Sequence, residues 1–236
     1  MIKVILFDLG GTLVHYGGKN LADLTQQSMY LLLETLKNEN KLSPELVTQF
    51  KWQFASLVRK AWDTHEEQTW PDTLQQTCRA LGLPISKAQA RRYEVLYFQT
   101  WQKETIPFPE TIKTLQTLFA QGHRLGLVSN AAFSPDLMLS QVRRLELLSF
   151  FDHLFFSSAV GVRKPEPAIY QLALDTFQVS PSECVFIGDR ILEDVRAPKS
   201  LGLRTIFRCP ERLTSPCEAD ACVDSLEEVI AIIPTW

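Results

Sequence analysis

The sequence predicts an α/β protein, a doubly wound parallel sheet interrupted after its first strand by a helical insert. Three observations carry this. Short apolar runs such as Val4–Phe7, Leu125–Val128 and Cys184–Ile187 have no polar face, as parallel strands covered by helices on both sides require. Amphipathic helical stretches separate these runs from residue 105 onward, but a long helical block stands between the first run and the second. Finally, several runs end on polar residues: Asp8, Ser129-Asn130 and Gly188-Asp189. Parallel strands bring such ends to one edge, where open α/β sheets bind their ligands.

The first strand is Val4–Phe7, closed by Asp8 and followed by Gly10-Gly11, where backbone can approach a small group closely. From 15 to 104 the pattern is helical. Leu21, Leu24, Leu31, Leu32 and Leu36 make a stripe, and Ser43-Pro44-Glu45 reads as an N-cap with a first-turn proline. Phe50, Phe54, Leu57, Val58 and Ala61 give the next helix one apolar face. Pro71–Leu81 is a shorter helix stopped by Gly82, and Ser86 with Gln89 forms a capping box opening the last one. Trp52, Trp62, Trp70 and Trp101 all fall in this block and are expected mostly in its core.

The alternation then returns. Helix 109–121 stops at Gly122, and strand 124–128 ends on Ser129-Asn130. Helix 135–147, strand 153–156, helix 166–177 and strand 184–187 follow. Helix 193–200 runs despite Pro198, then come strands 203–207 and 221–223 and a closing helix 226–233. Ser180-Pro181-Ser182-Glu183 scores as a capping box, but a strand follows at once, so no helix is expected there. The expected division is therefore 1–14 with 105–236 as the α/β part, and 15–104 as the insert.

The composition is that of an ordinary globular protein, with 236 residues, 45% hydrophobic, 22% charged and a net charge of −3. No basic run suits a nucleic acid or an anionic membrane, and no apolar stretch has the length of a membrane span. The early apolar run is too short for a signal-peptide core. Five cysteines show no CxxC pair, and the cluster Cys209, Cys217, Cys222 fits no zinc spacing and has no histidine nearby. Plain thiols in a reducing cytoplasm are expected.

Taken together, the strand ends supply Asp8, Asp189 and Asp194, the hydroxyl of Ser129, and Lys164 from the loop Gly161–Pro167. Carboxylates beside a lysine and a hydroxyl outline a site for a divalent cation and a phosphate. These stretches, in this order, resemble the haloacid dehalogenase-like hydrolase superfamily. Phe7-Asp8-Leu9-Gly10-Gly11-Thr12-Leu13 resembles its nucleophile motif, and Leu127-Val128-Ser129-Asn130 its second. Arg163-Lys164-Pro165 resembles the third, and Gly188-Asp189 through Glu193-Asp194 the GDxxxxD fourth.

The resemblance implies a Rossmann-like core with a helical cap domain, and a phosphatase acting on a small soluble phosphate ester through an aspartyl phosphate. By it, Asp8 is the nucleophile and Lys164 its partner. Mg²⁺ is held by Asp8, the Gly10 carbonyl, Asp189 and Asp194, and phosphate oxygens by Ser129, Asn130, Lys164, Gly11 and Thr12. The chain departs from the pattern at Gly10, where such phosphatases usually carry a second Asp that protonates the leaving group and activates water. His15 or Tyr16 could reach a leaving group only if the linker folds back. Three readings stand: a Mg²⁺-dependent phosphatase, an impaired or purely binding relative that lacks this acid, and a metal-independent 2-haloacid dehalogenase. The Asp189–Asp194 pair argues against the last, and substrate identity is set by cap side chains that the sequence does not arrange.

Overall fold

The computed structural model describes residues 1–39, 41–209 and 217–236. Its main sheet has six parallel strands, β1 (Val4–Phe7), β4 (Arg124–Ser129), β5 (His153–Phe156), β6 (Cys184–Gly188), β7 (Arg204–Arg208) and β8 (Ala221–Val223). Their spatial order is β5-β4-β1-β6-β7-β8, so the first strand lies in the middle and the chain winds outward from it in both directions. That is the predicted doubly wound α/β sheet. A separate antiparallel pair, β2 (Val14–His15) with β3 (Ile106–Pro107), joins the two ends of the interruption.

The helices are α1 (Leu21–Asn38), α2 (Val47–Thr64), α3 (Trp70–Ala80), α4 (Lys87–Glu104), α5 (Thr111–Ala120) and α6 (Pro135–Arg144). The remainder are α7 (Ser157–Val160), α8 (Pro167–Phe177), α9 (Ala197–Ser200) and α10 (Val229–Ile232). Burial of whole strands explains why they show no polar face. Val4, Leu6, Val128, Phe155, Cys184 and Phe186 pack with Ile169, Tyr170, Ala173, Leu174 and Phe177 of α8.

By contacts the chain forms two compact units. One comprises 1–15, 106–130 and 142–236; the other comprises 16–105 and also 131–141. The stretch 131–141, which the αβ rhythm had placed with the sheet, is tied into the helical unit. There the Trp70 N–H donates to the Ala132 carbonyl at 2.8 Å. The fully buried Glu94 accepts from the Ser134 N–H at 2.6 Å and from its hydroxyl at 2.7 Å.

Several local readings change. Ser43 makes no side-chain cap; Pro44–Leu46 is a 3₁₀ turn, and α2 begins after it. The Ser180 box does close a turn, Pro181–Glu183, in which the Glu183 carboxylate accepts the Ser180 N–H at 3.0 Å. The expected helix 193–200 is a π-turn, Ile191–Arg196, followed by α9. Pro198 lies in α9, which continues directly from this π-turn, so its missing N–H leaves out one helical hydrogen bond to an upstream carbonyl. Only Trp70 and Trp101 join the helical core, while Trp52 and Trp62 are exposed. Cys217 and Cys222, expected as thiols, form a disulfide, which their Cα–Cα distance of 6.2 Å permits.

Candidate active site

Strand register assembles the site at the carboxyl edge of the sheet. Phe7 lies level with Leu127 on β4 and Ile187 on β6, so Asp8, Ser129 and Gly188-Asp189 come off neighbouring strands at almost the same height. The Asp8 N–H still donates to the Ile187 carbonyl at 2.9 Å, which extends the ladder by one residue and holds the acid in place.

Lys164, 2% exposed, reaches into this edge and donates to Asp8 Oδ1 and Asp194 Oδ1, both at 2.7 Å. Its backbone is fixed by Asn130. The amide Nδ2 donates to the Lys164 carbonyl, and Oδ1 accepts the Lys164 N–H, each at 2.8 Å. The second motif's Asn therefore braces the third motif's lysine. Thr12 Oγ1 donates to Asp189 Oδ1 at 3.4 Å, and the Arg190 N–H donates to Asp194 Oδ2 at 3.0 Å. The wide π-turn that carries Asp194 is also held by Tyr170, whose hydroxyl donates to the Glu193 carbonyl.

Two glycines are dictated by these acids. A Cβ on Gly11, which has φ +83°, would lie 2.2 Å from Asp189 Oδ2. One on Gly188 would lie 2.3 Å from the Asp194 carboxyl. No other residue fits at either place.

One oxygen from each of Asp8, Asp189 and Asp194 lies within 4.8 Å of the others. Three carboxylates face the Lys164 ammonium, and the Arg190 guanidinium also acts on Asp189. Burial and then the Asp8 charge push Asp189 up to about 6. Burial raises Asp194 to about 7 against the opposing pull of Lys164. Burial alone would lower the Lys164 ammonium, but the Asp194 and Asp8 carboxylates outweigh it and leave it raised. An anionic, all-oxygen donor set of this kind fits a hard divalent cation such as Mg²⁺. It is the only such cluster of metal-ligating side chains among the described residues.

The other expected residues lie as follows. Ser129 is buried at the end of β4. The Gly11 N–H donates to the Val14 carbonyl at 2.8 Å. The His15 ring packs on Phe108 with centroids 4.9 Å apart, and in the helical unit Tyr16 packs edge-on to Trp101 at 5.7 Å. The sequence reading passed over Arg208, which is 3% exposed at the last position of β7. Its Nη1 donates to the Gly11 carbonyl at 2.8 Å and its Nη2 to Glu110 at 3.0 Å. The strand-end rule would have found it, had β7 been drawn one residue longer.

A sheet of this order, with an acid after the first strand and a lysine and an acid pair at its edge, defines a hydrolase of the haloacid dehalogenase type. Residues 2–202 match the model of the haloacid dehalogenase-like hydrolase family, and the chain belongs to that family. A glyceraldehyde 3-phosphate phosphatase of Pyrococcus abyssi is 29% identical over 88% of this chain and 81% of its own. A phosphoglycolate phosphatase of Nitrosospira multiformis is 28% identical over 98% and 96%. Among solved structures, a 2-haloacid dehalogenase of Pseudomonas syringae pv. Tomato matches the whole of both chains with a TM-score of 0.76 and 23% identity. A phosphatase of the family from Thermococcus onnurineus matches 98% of each with 0.72 and 24%. At such identities these two likenesses speak for the fold alone.

Proposed function

We propose that this chain is a Mg²⁺-dependent phosphatase that hydrolyses a small phosphorylated metabolite through an aspartyl phosphate on Asp8. The observation that carries the reading is the Asp8–Lys164–Asp194 chain of 2.7 Å contacts with Asp189 beside it. Relatives named glyceraldehyde 3-phosphate phosphatase and phosphoglycolate phosphatase support a small phosphorylated substrate. On the same reading 15–104 is the helical cap domain, and 1–14 with 105–236 the catalytic core domain.

Lys164 occupies Asp8 Oδ1, which leaves Oδ2 to form the bond to phosphorus while the bond to the ester oxygen breaks. The lysine fixes Asp8 in orientation, and Ser129 supplies a hydroxyl to a phosphate oxygen. Asp8, the Gly10 carbonyl, Asp189 and Asp194 would hold Mg²⁺, which supplies positive charge to the phosphoryl oxygens. Water then attacks the acyl phosphate, releasing inorganic phosphate and restoring the carboxylate.

Gly10 gives neither proton to the leaving alkoxide nor a base to the attacking water. A positioned acid–base group is worth about 10²–10⁴-fold, so a slow enzyme that favours good leaving groups is expected. The same observation supports a second reading, a phosphate-binding relative with no useful turnover. Phosphate release from p-nitrophenyl phosphate and a phosphometabolite panel separates the two. We expect Mg²⁺-dependent release that Asp8→Asn removes and Gly10→Asp raises by about 10²-fold. Release that survives Asp8→Asn refutes the phosphatase reading. Chloride release from a 2-haloacid in EDTA would establish the dehalogenase chemistry instead.

A further inference from the structure

We propose that Arg208 is a positioning residue of the nucleophile turn, holding Gly10-Gly11 in the shape that the site needs. It lies beyond residue 202, where the family match ends, so none of the four motifs accounts for it.

The turn between Asp8 and Val14 is anchored from outside beyond its glycines. Thr12 donates to Asp189 at 3.4 Å, and the Leu13 carbonyl accepts from the Phe108 N–H at 3.1 Å and the Thr111 hydroxyl at 2.7 Å. The glycines themselves have less to hold them. Gly10 and Gly11 add no side chain, and Gly11 has φ +83°, where backbone is least restrained. Leu13 and Val14 donate back to the Leu9 carbonyl at 2.9 and 3.1 Å, and the Gly11 N–H donates to Val14 at 2.8 Å. These bonds are all internal to the turn. The bond from Arg208 Nη1 to the Gly11 carbonyl, at 2.8 Å, ties the glycine stretch itself to the sheet.

Arg208 is itself fixed on three sides. Its Cα is held in β7, its Nη2 donates to Glu110 at 3.0 Å, and its guanidinium lies 3.5 Å from the centre of the Phe108 ring. A planar fork sandwiched in this way has one orientation, which a lysine could not reproduce. The role is geometric. The neighbours whose charges act most on Asp189 are Asp8, Arg190 and Lys164, and Arg208 is not among them. Nor is this arrangement one that stability alone selects. Arg208 Nε is buried and meets no acceptor among the described residues, an unfavourable feature in an otherwise paired region. Slackening the Gly11 peptide would shift the Gly10 carbonyl and the Asp8 carboxylate together, because the two flank Leu9.

The catalytic half of this inference rests on the phosphatase reading; the structural half does not. The test uses the full chain with Arg208→Lys, Arg208→Ala and Glu110→Gln. Amide hydrogen exchange should quicken at Gly11, Leu13 and Val14 in Arg208→Lys, while β1 stays protected. Calorimetry with MgCl₂ alone should show weaker binding. In the assay, kcat should fall about tenfold with KM changed less than twofold. Millimolar guanidinium, but not ammonium, should restore part of the loss in Arg208→Ala. Glu110→Gln should produce the same changes more weakly. Unchanged exchange and unchanged Mg²⁺ binding in Arg208→Lys overturn the proposal, even if the protein proves to have no phosphatase activity. A lower melting point with both readouts unmoved also overturns it, since that is what a merely structural arginine would give. If Arg208→Ala does not fold, the lysine and Glu110 variants decide.

Discussion

The two compact units are held by different physics. In the α/β unit the buried polar groups of the site are charged and answer one another, as Asp8, Asp194 and Lys164 do. In the helical unit the centre is a run of rings. Trp70 lies 4.8 Å from Tyr97, Tyr97 6.2 Å from Phe133, and Phe133 5.8 Å from Trp101. The indole N–H groups of Trp70 and Trp101 and the Gln68 amide are buried there without an acceptor among the described residues. One unit is specified atom by atom, because unpaired charge in low dielectric is costly. The other is specified by volume and shape, which tolerate substitution. The difference teaches that chemistry should be sensitive to small steric changes in the first unit and indifferent to electrostatic ones in the second.

The largest effect should come from one methyl group. Gly11→Ala puts a Cβ against the Asp189 carboxylate in a left-handed backbone conformation. We expect activity to fall by at least about 10²-fold and stability by about 2–4 kcal/mol. Gly122→Ala is the control. Its φ of +87° is similar, but nothing lies within 4 Å of the added Cβ. It should cost only about 1–2 kcal/mol, the backbone strain alone, and leave kcat untouched. Urea titration and initial rates measure both. Equal losses for the two variants would show that Asp189 yields easily and that the site is not sterically specified.

Glu94 tests the other side of the comparison, since it is the exception in the helical unit: a fully buried carboxylate. It accepts from Ser134 and from the Arg91 guanidinium, which also reaches Asp136. Arg91 is a third exposed, so its share is screened by water and most of the value lies in the two Ser134 bonds. Glu94→Ala should cost about 2–3 kcal/mol in urea. Calorimetric Mg²⁺ binding should be unchanged, and weakened binding would show that the two units do not behave independently.

How far the sequence could be read follows the same divide. Asp8 and Asp189 were legible because each follows an apolar strand directly, and parallel strands leave little choice about where those ends go. Lys164 and Asp194, in the loop and the π-turn further on, were legible from the motifs they stand in. Asn130 was picked out as well, but not its bonds to the Lys164 backbone, because a side-chain bond across 34 residues leaves no local pattern. Arg208 was lost to a strand boundary misplaced by one residue. In the helical unit the capping boxes at Asn20 and Ser86 are local, and the Ser86 box was readable. The allegiance of 131–141 was not, since it depends on Trp70 and Glu94, far away in sequence. Trp52 was expected inside because it is large and apolar, yet it is 69% exposed. It lies off the Phe50–Phe54–Ala61 stripe, and that periodicity outweighed its size.

The smallest effect concerns pH, and the two units should respond with opposite signs. Asp189 and Asp194 sit at about 6 and about 7, above the ordinary 3.8. Without metal, the folded α/β unit therefore keeps protons that the unfolded chain has released, from about pH 4 to about pH 7. Stability from these groups is fully present below that window and is lost as pH rises through it. Glu39 in the helical unit is shifted the other way. The Tyr93 hydroxyl and the Arg92 guanidinium, both at 2.6 Å, hold its carboxyl below 4.5. Its contribution is present above that ordinary value and is lost as pH falls through the lowered one. Amide exchange in EDTA, resolved by segment, should show strands β1 and β6 better protected at pH 5 than at pH 7.5. In α1 and α4 protection should fall below pH 4.5, once intrinsic exchange rates are corrected for. Excess MgCl₂ favours the ionised acids, so it should flatten or reverse the first slope and leave the second alone. Asp194→Asn should abolish most of the first slope without metal. A slope in β1 and β6 that survives both changes would place its origin outside the acid cluster, and the contrast between the units would then not be one of charge.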